Sequence, residues 1–412
     1  MSYRNVYFFV SLFLVLTRCH AALDLVSAQA EARINNPELR VFESSIAASK
    51  GGVKTARTFA NPELSVAPGV KRTREEGVTD SEFHGEISLS QFFKFPGKRA
   101  LEIAIAQRNV KVQQLALEGF RFQLAAKVRK AFYEMLAAEK VLALRRQQVE
   151  SARVFVESAR KRTESGYASD FETLKSHADF IAASKAEQQA RGEITGARVA
   201  LNTLMGRNPS SSLEIAGALE NSAPHGLQTD FVALAMARNP SIHALNVQAE
   251  IAGLTLRSTR FGRRPDFAIG PSVEYAKNEQ IYGLSATVTL PFWDQKKGEI
   301  QTATAEQQKV LAELEKTRAE IAGEVTKAVT ALKEARAAVA LYTPDFLDKL
   351  KALVAQAEQS YAQSATTLII YLDAKRTYFD TLNDYYEALA KVAASHAELE
   401  SAIGVPLDTT KP

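Results

Sequence analysis

Cysteine is nearly absent: Cys19 is the only one in 412 residues, so no disulfide framework is possible. Past residue 16 there is no long apolar run, which rules out a membrane-crossing helix and leaves any spanning to strands. Histidines stand at 20, 84, 177, 225, 243 and 396 without a pair at metal-ligand spacing, so no protein-bound metal site is expected. The sequence also lacks a phosphate-binding glycine loop, a nucleophile elbow and an HExxH arrangement. The carboxylate pair Glu75-Glu76 has no partner base beside it. These absences exclude the common catalytic classes, and neither an enzyme nor a cofactor is expected.

Charge is nearly balanced, with a formal net of +4, and gives no reason to expect nucleic acid as a partner. The first residues carry Arg4, an apolar run from Val6 to Leu16 and a small-residue exit at Cys19-His20-Ala21. That is the three-part pattern of a secretory signal peptide, placed at residues 1–21. Its removal takes away Arg4 and Arg18 and no acid, lowering the net charge to +2. Acylation of Cys19 is the alternative, although Arg18 puts a bulky charge where such a site wants a small residue.

What is present is a duplication. Asn36-Pro37-Glu38-Leu39 returns as Asn239-Pro240-Ser241-Ile242, and Pro62-Glu63-Leu64 as Pro265-Asp266-Phe267, both 203 residues later. The sequence divides into a first repeat at 22–206, a linking segment at 207–230, a second repeat at 231–404 and a tail at 405–412. Each repeat reads as helix, strand, strand and long helical hairpin. The fold class is mainly α with a small β part.

Strands are expected at about 62–72, 82–93, 265–277 and 281–292. Phe267, Ile269, Pro271, Val273 and Tyr275 alternate with Ala268, Gly270, Ser272 and Glu274. Tyr282, Leu284, Ala286, Val288, Leu290 and Phe292 alternate with glycine, serine and threonine in the same way. The first repeat shows the pattern in Leu64, Val66, Pro68 and Val70 and in Phe83, Ile87 and Leu89. One face is apolar and the other small and polar, at about the 9–11 residues that cross a bilayer as a tilted strand. The polar stretches Lys71 to Ser81 and Lys277 to Gln280 read as outward loops. Phe92, Phe93, Phe95, Phe292 and Trp293 gather at strand ends, as in an interfacial girdle. A soluble sandwich edge would alternate likewise, but little else in the chain could cover such a sheet. Four strands close no membrane barrel, so the barrel is shared between chains. Three chains give twelve strands and room for a pore, and the count alone also admits a dimer or tetramer.

Proline is missing between Pro96 and Pro209, and the residues there favour helix. Hairpins are expected at about 98–206 and 297–404. The first turns at Gly166, with Ser169 or Asp170 capping the return. The second breaks at Thr343-Pro344 and turns near Tyr361-Ala362-Gln363-Ser364. Leu174 follows Tyr167 by seven residues and Leu368 follows Tyr361 by seven, which suggests that these tyrosines are equivalent. The stripe Ala125, Val128, Phe132, Met135 and Leu136 packs helix on helix, in a solid coiled coil or a hollow bundle.

The repeated Asn-Pro elements, the duplicated hairpins, Leu290-Pro291-Phe292-Trp293 and Tyr371-Leu372-Asp373-Ala374 resemble the TolC-type outer-membrane factors over nearly the whole mature chain. Leu89-Ser90-Gln91 followed by Phe95-Pro96-Gly97-Lys98-Arg99 looks like the branch serving heavy-metal cation efflux. The resemblance implies a homotrimer with a twelve-strand barrel in the outer membrane of a Gram-negative-type cell and a helical tunnel through the periplasm. It implies, as partners, outer-membrane lipid, a periplasmic adaptor and an inner-membrane transporter of the resistance-nodulation-division type. It further implies an acidic aperture just after the hairpin turns, for which Asp373, Glu172 and Asp170 are the candidates, with Ile370 at a neighbouring acidic position of the family. Gly166, Tyr167, Ala168, Tyr361 and Ser364 are candidates for adaptor docking, although the tyrosines would equally staple helices together. Arg160, Lys161 and Arg162 would guide an acidic partner or simply solvate a helix. The duct of a type I protein-secretion system would share this fold, and a periplasmic adaptor would share only the hairpins.

Overall fold

The computed structural model describes residues 22–75, 77–167, 169–219, 230–276 and 279–407. The expected signal peptide, Ala168, and parts of the linking segment, the second loop and the tail lie outside them.

The first repeat runs α1 (Leu25–Asn35), α2 (Pro37–Arg57), β1 (Glu63–Glu75), β2 (Val78–Phe93), α3 (Lys98–Glu164) and α4 (Asp170–Leu204). The second runs α5 (Phe231–Arg238), α6 (Pro240–Phe261), β3 (Phe267–Ala276), β4 (Glu279–Val288), α7 (Lys297–Ala340), α8 (Pro344–Ala362) and α9 (Leu368–Ile403). The break before α8 falls at Thr343, whose hydroxyl accepts the Phe346 amide proton at 3.2 Å, with Pro344 as the first helical residue. Proline suits that position, where its missing N–H would find no helical partner.

The repeated Asn-Pro elements splice helices end to end. Asn36 Oδ1 accepts from the Glu38 amide at 2.9 Å, capping α2, while its Nδ2 donates 2.8 Å to the carbonyl of Leu204 at the end of α4. Asn239 does the same for α6 and α9, accepting from Ser241 N at 2.9 Å and donating to Ala402 O at 3.0 Å. Asparagine fits because one amide offers both an acceptor and a donor. The abutment also needs glycine beside it. Gly206 (φ 72°) and Gly404 (φ 81°) end α4 and α9 in the left-handed region. A Cβ on Gly206 would collide with the Asn35 carbonyl, and one on Gly404 would lie 2.7 Å from Pro240 Cδ. Both asparagines are buried.

The splices give four rods per chain. Helix α3, 67 residues and about 100 Å long, packs against α4 and α9 toward its far end and against α2 and α6 near the sheet. Helix α7 packs on α6 and α9, and α8 on α9. The rods therefore lie side by side in the order α4–α2, α3, α9–α6, α7–α8. Two apolar cores sit where rods are spliced. One gathers Phe132, Met135, Leu136, Leu201 and Met205, and the other Ile242, Val325, Leu332, Leu399 and Ile403. Of the expected stripe, Val128, Phe132, Met135 and Leu136 are buried, and Ala125 is half-buried.

The sheet repeats that order, β1-β2-β3-β4, with every pair antiparallel. Each strand meets the rod beside it: α2 feeds β1, β2 feeds α3, α6 feeds β3 and β4 feeds α7. The β2–β3 pairing joins the two repeats. Beneath it, buried Lys98 donates from Nζ to Asp266 Oδ1 (2.9 Å) and to the Arg264 carbonyl (2.7 Å), and the Phe95 amide donates to the same carboxylate at 2.7 Å. Strand register aligns Leu64 with Leu89, Val66 with Ile87, Ile87 with Val273, Val273 with Tyr282 and Pro271 with Leu284, all on one face. That face lies open, with Leu64 68% and Leu284 71% exposed. No described strand pairs with the outer edges of β1 and β4. An apolar sheet with two bare edges is incomplete as a single chain, because unpaired edge groups in lipid cost several kcal/mol each.

Three expectations are corrected here. Residues 71–75 and 78–81 are strand and not loop: Lys71 pairs opposite Glu82 and Thr73 opposite Asp80, continuing the hairpin to Glu75 and Val78. Opposite charges facing across strands support pairing above the apolar band. Leu290 and Phe292 lie past the end of β4 at Val288, since Pro291 lacks the N–H that a ladder needs. Phe92 lies opposite Ala268, on the small polar face and not the apolar one.

Candidate functional site at the hairpin tips

Both hairpins turn with the same backbone bonds. Tyr167 N donates to Arg162 O and Ala365 N to Ser360 O, each at 2.8 Å; Gly166 N donates to Thr163 O and Ser364 N to Tyr361 O, each at 3.0 Å. Gly166 (φ 73°) and Ser364 (φ 57°) take the left-handed residue of this motif. The two turns are therefore equivalent at an offset of 198, which corrects the register drawn from Tyr167 and Tyr361. On this alignment Glu172 matches Ile370, and Asp373 matches Lys175. The second turn forms without glycine because serine has no branch at Cβ to aggravate the positive φ.

Between the turns an aromatic column crosses from one hairpin to the other. Arg162 on α3 sits with its guanidinium carbon 4.8 Å from the centre of the Tyr361 ring on α8. Tyr361 stacks on Tyr371 of α9 at 5.4 Å and 7°. Phe155 of α3 closes the side, 5.6 Å from Tyr361 and 5.2 Å from Tyr371. The Tyr361 hydroxyl donates 2.7 Å to Glu172 Oε2 on α4, so this one side chain touches both hairpins. Burial, then the Glu172 carboxylate, pushes the Tyr361 phenol up to about 12, and burial raises that of Tyr371. Lys375, one turn along α9 from Tyr371, is also buried, and burial lowers its amine.

The expected site residues divide accordingly. Tyr361, a docking candidate, is 7% exposed and staples the hairpins from inside, so its ring offers no surface to a partner. Tyr167 is 82% exposed at the tip, and Gly166 and Ser364 are exposed beside it. Ala168 lies outside the described residues. Arg162 faces inward onto Tyr361, while Arg160 pairs with Glu164 at 3.5 Å on the surface. Glu172 is half-buried and engaged, and Asp170 and Asp373 are exposed. Asp373 lines a cavity of about 580 Å³ between α3, α4 and α9, together with Asp179, Lys375 and Asp380. Sequence reading missed the roles of Phe155, Arg162, Tyr371 and Lys375. The i,i+4 spacing of Tyr371 and Lys375 was the available signal.

At the other end, Phe93 stacks on Phe267 at 5.6 Å, and Phe95 lies under Arg264 at 4.9 Å. Phe292 and Trp293 meet edge-on at 6.1 Å, and Trp293 is 93% exposed. Among the described residues no three histidine, acidic or cysteine side chains group as a metal site, and no helix is long and apolar enough to cross a membrane.

Comparison with known proteins agrees with this geometry. The family described as outer membrane efflux protein matches residues 29–207 and 232–405. The cobalt-zinc-cadmium resistance protein CzcC of Cupriavidus metallidurans is 22% identical over 388 residues, 93% of this chain and 90% of that one. The nickel-cobalt-cadmium resistance protein NccC of Alcaligenes xylosoxydans xylosoxydans is 23% identical, over 69% of this chain and 64% of its own length. The solved structure of the transmembrane channel CusC superposes with a TM-score of 0.77 over 92% of each chain, at 16% identity. Such proteins are channels and not enzymes, set in the outer membrane and reaching into the periplasm, and they work as trimers with an adaptor and an inner-membrane pump. Matched through both of its repeats, this chain belongs to the outer membrane efflux protein family.

Proposed function

We propose that this chain forms, as a trimer, the passive exit duct of a tripartite pump for divalent heavy-metal cations, with its periplasmic end held shut at the hairpin tips. The observation that carries the duct is the shared order of strands and rods. Four strands with an apolar outer face and two bare edges sit on four rods in the same sequence, as one third of a continuous tube. Sister copies complete both layers at once. The small polar face of the sheet then lines the bore.

Two observations favour cations. The relatives CzcC and NccC are named for resistance to such metals. On the inner face Glu86 pairs directly opposite Glu274, with His84 Nε2 3.6 Å from the latter carboxylate. Like charges directly opposite destabilise a ladder, and a wet bore that passes cations tolerates them. At the tip, Asp373 supplies an exposed carboxylate that threefold symmetry turns into a ring, while Glu172 is engaged with Tyr361. The exposed turn around Tyr167 and Ser364 is the proposed adaptor contact.

The test is twofold. Purified trimer in a planar bilayer should conduct with cation preference. A strain lacking the protein should lose tolerance to cobalt, zinc or cadmium and regain it on complementation. Unaltered tolerance to all three metals would remove the cargo assignment, and absence of current from both the wild type and Tyr361→Phe, which lacks the tie to Glu172, would remove the duct.

A further inference from the structure

Lys375 stands in the hairpin column against Phe155 and Tyr371. It is 5% exposed, and its Nζ finds no hydrogen-bond partner among the described residues. It lies 5.2 Å from the centre of the Tyr371 ring and 5.7 Å from that of Phe155. Two ring faces thus replace the water around three N–H donors, and aromatic faces return only part of what an ammonium loses on leaving water. Nearby carboxylates, Asp179 on α4 and Glu358 on α8, attract the amine from a distance without a hydrogen bond to it. A methionine of similar length would fill the same space without that cost. The charge therefore works against the joined arrangement of the hairpins.

We propose that Lys375 is a spring at the tip: its buried, unbonded ammonium disfavours the joined hairpins, and parting α8 and α9 from α3 and α4 relieves it by admitting water and a carboxylate partner. The Tyr361 hydroxyl bond to Glu172 holds the tip together, and Lys375 opposes it, keeping the two arrangements close in free energy. This inference rests on reading the tip as a gate to the duct.

The charge makes the balance depend on pH. While the buried amine keeps its proton, both arrangements are charged and the joined one bears the full cost. As pH rises and the buried amine loses its proton first, the joined arrangement is relieved while the parted one is still charged. Alkaline pH therefore favours joined tips. Other groups facing Lys375 do not mimic this response. The Tyr361 phenol, pushed up to about 12 in the joined arrangement, and the Tyr371 phenol, also raised there, return toward the usual tyrosine value of about 10 on parting, so they act only near and above that value and then oppose the amine. The guanidinium groups on the elements around Lys375 are Arg145 and Arg162 on α3 and Arg376 on α9. The carboxylates around it are Asp179 on α4, Glu358 on α8 and Asp373 and Asp380 on α9. Lys175 on α4 is exposed in the joined arrangement, so parting changes its surroundings little.

The test measures the tips directly. Residues 22–412 contain no natural cysteine, so spin labels at Tyr167→Cys and Gln363→Cys report one hairpin each in the processed protein in detergent, with Cys19→Ser added wherever Cys19 is retained. Between about pH 7.5 and about pH 9.5, a window below the usual tyrosine and lysine values, the wild-type distance distribution should shift several-fold toward the joined population. Lys375→Met should start in the joined population and stay there at both pH values. A wild-type distribution unmoved by pH, or a Lys375→Met protein that shifts as the wild type does, would overturn the proposal. Should Lys375→Met not assemble, Lys375→Gln and the wild-type titration decide it alone. Failure of the duct reading shows separately as absence of bilayer current, which leaves the label distances interpretable.

Discussion

Removing one oxygen from Tyr361 should loosen the tip without unfolding it. The Tyr361 hydroxyl donates 2.7 Å to Glu172 Oε2, a contact between the α8–α9 hairpin and the α3–α4 hairpin. Tyr361→Phe keeps the ring, and with it the stack on Tyr371, the edge of Phe155 and the Arg162 guanidinium. What is lost is one hydrogen bond to a charged acceptor, about 1.5–3 kcal/mol. Glu172 is half-exposed, so water replaces part of the loss and the lower figure, about 1.5 kcal/mol, applies. That is on the order of tenfold in the open-to-closed ratio if each protomer's hairpin parts alone. If three tips part together the losses add to about 4.5 kcal/mol, on the order of a thousandfold.

Single-channel recording separates these cases. Tyr361→Phe should raise conductance or open time by at least the smaller factor, while its thermal midpoint stays near that of the wild type because the buried apolar contacts survive. Glu172→Gln should open the channel to a lesser extent, since an amide oxygen still accepts. The double variant should be no more open than Tyr361→Phe alone, as expected when both changes act on one bond. Wild-type currents from Tyr361→Phe, or effects that simply add in the double variant, would show that this bond does not hold the tip.

Three further outcomes follow from other parts of the molecule. Asn239→Ala removes a cap and leaves the Ala402 carbonyl without its donor, so stability should fall by about 2–3 kcal/mol, read as a lower denaturant midpoint; an unchanged midpoint would count against the splice. Ser364→Gly relieves a positive φ of 57° and should raise stability by up to about 1 kcal/mol, whereas Gly166→Val at the equivalent turn (φ 73°) should lower it. Asp373→Lys should reduce cation preference in bilayer recordings with little change in melting, because the carboxylate is exposed and not engaged in the column; unaltered selectivity would place it away from the narrowest point.

The strands and the duplication were legible because period two and a repeated Asn-Pro survive any context: Val273 and Tyr282 are apolar where a ladder needs them, and Asn36 and Asn239 cap where capping residues belong. The stretch 71–81 was not, since Lys71 and Glu82 read as loop charges until they are placed opposite each other. Tip register failed for a related reason. Tyrosines are conspicuous, but the turn is defined by the residue with positive φ, and Ser364 carries no mark of that in the sequence. The column was hidden more deeply. Phe155 and Tyr371 are separated by more than two hundred residues, and only the side-by-side packing of α3 and α9 brings them together.

That packing also explains where function concentrates. A duplicated chain whose halves were alike throughout would give three copies an even sixfold tube, each hairpin contributing equally to the bore. At the splices the halves do agree, down to the paired asparagine bonds at Leu204 and Ala402, although α3 runs unbroken where its counterpart divides into α7 and α8. They part company at the tips. Where the first hairpin has Glu172, the second has Ile370, and where the first has Lys175, the second has Asp373. Glu172 of the first hairpin is engaged in holding Tyr361, which leaves exposed carboxylates at Asp170 on the first hairpin and Asp373 on the second. Threefold symmetry then makes three alternating pairs of unlike hairpins, one member supplying the acceptor of the tie and the other supplying its donor, the opposed Lys375 and the exposed Asp373. In the proposed gate the two hairpins hold different halves of one bond, and parting one from the other breaks it.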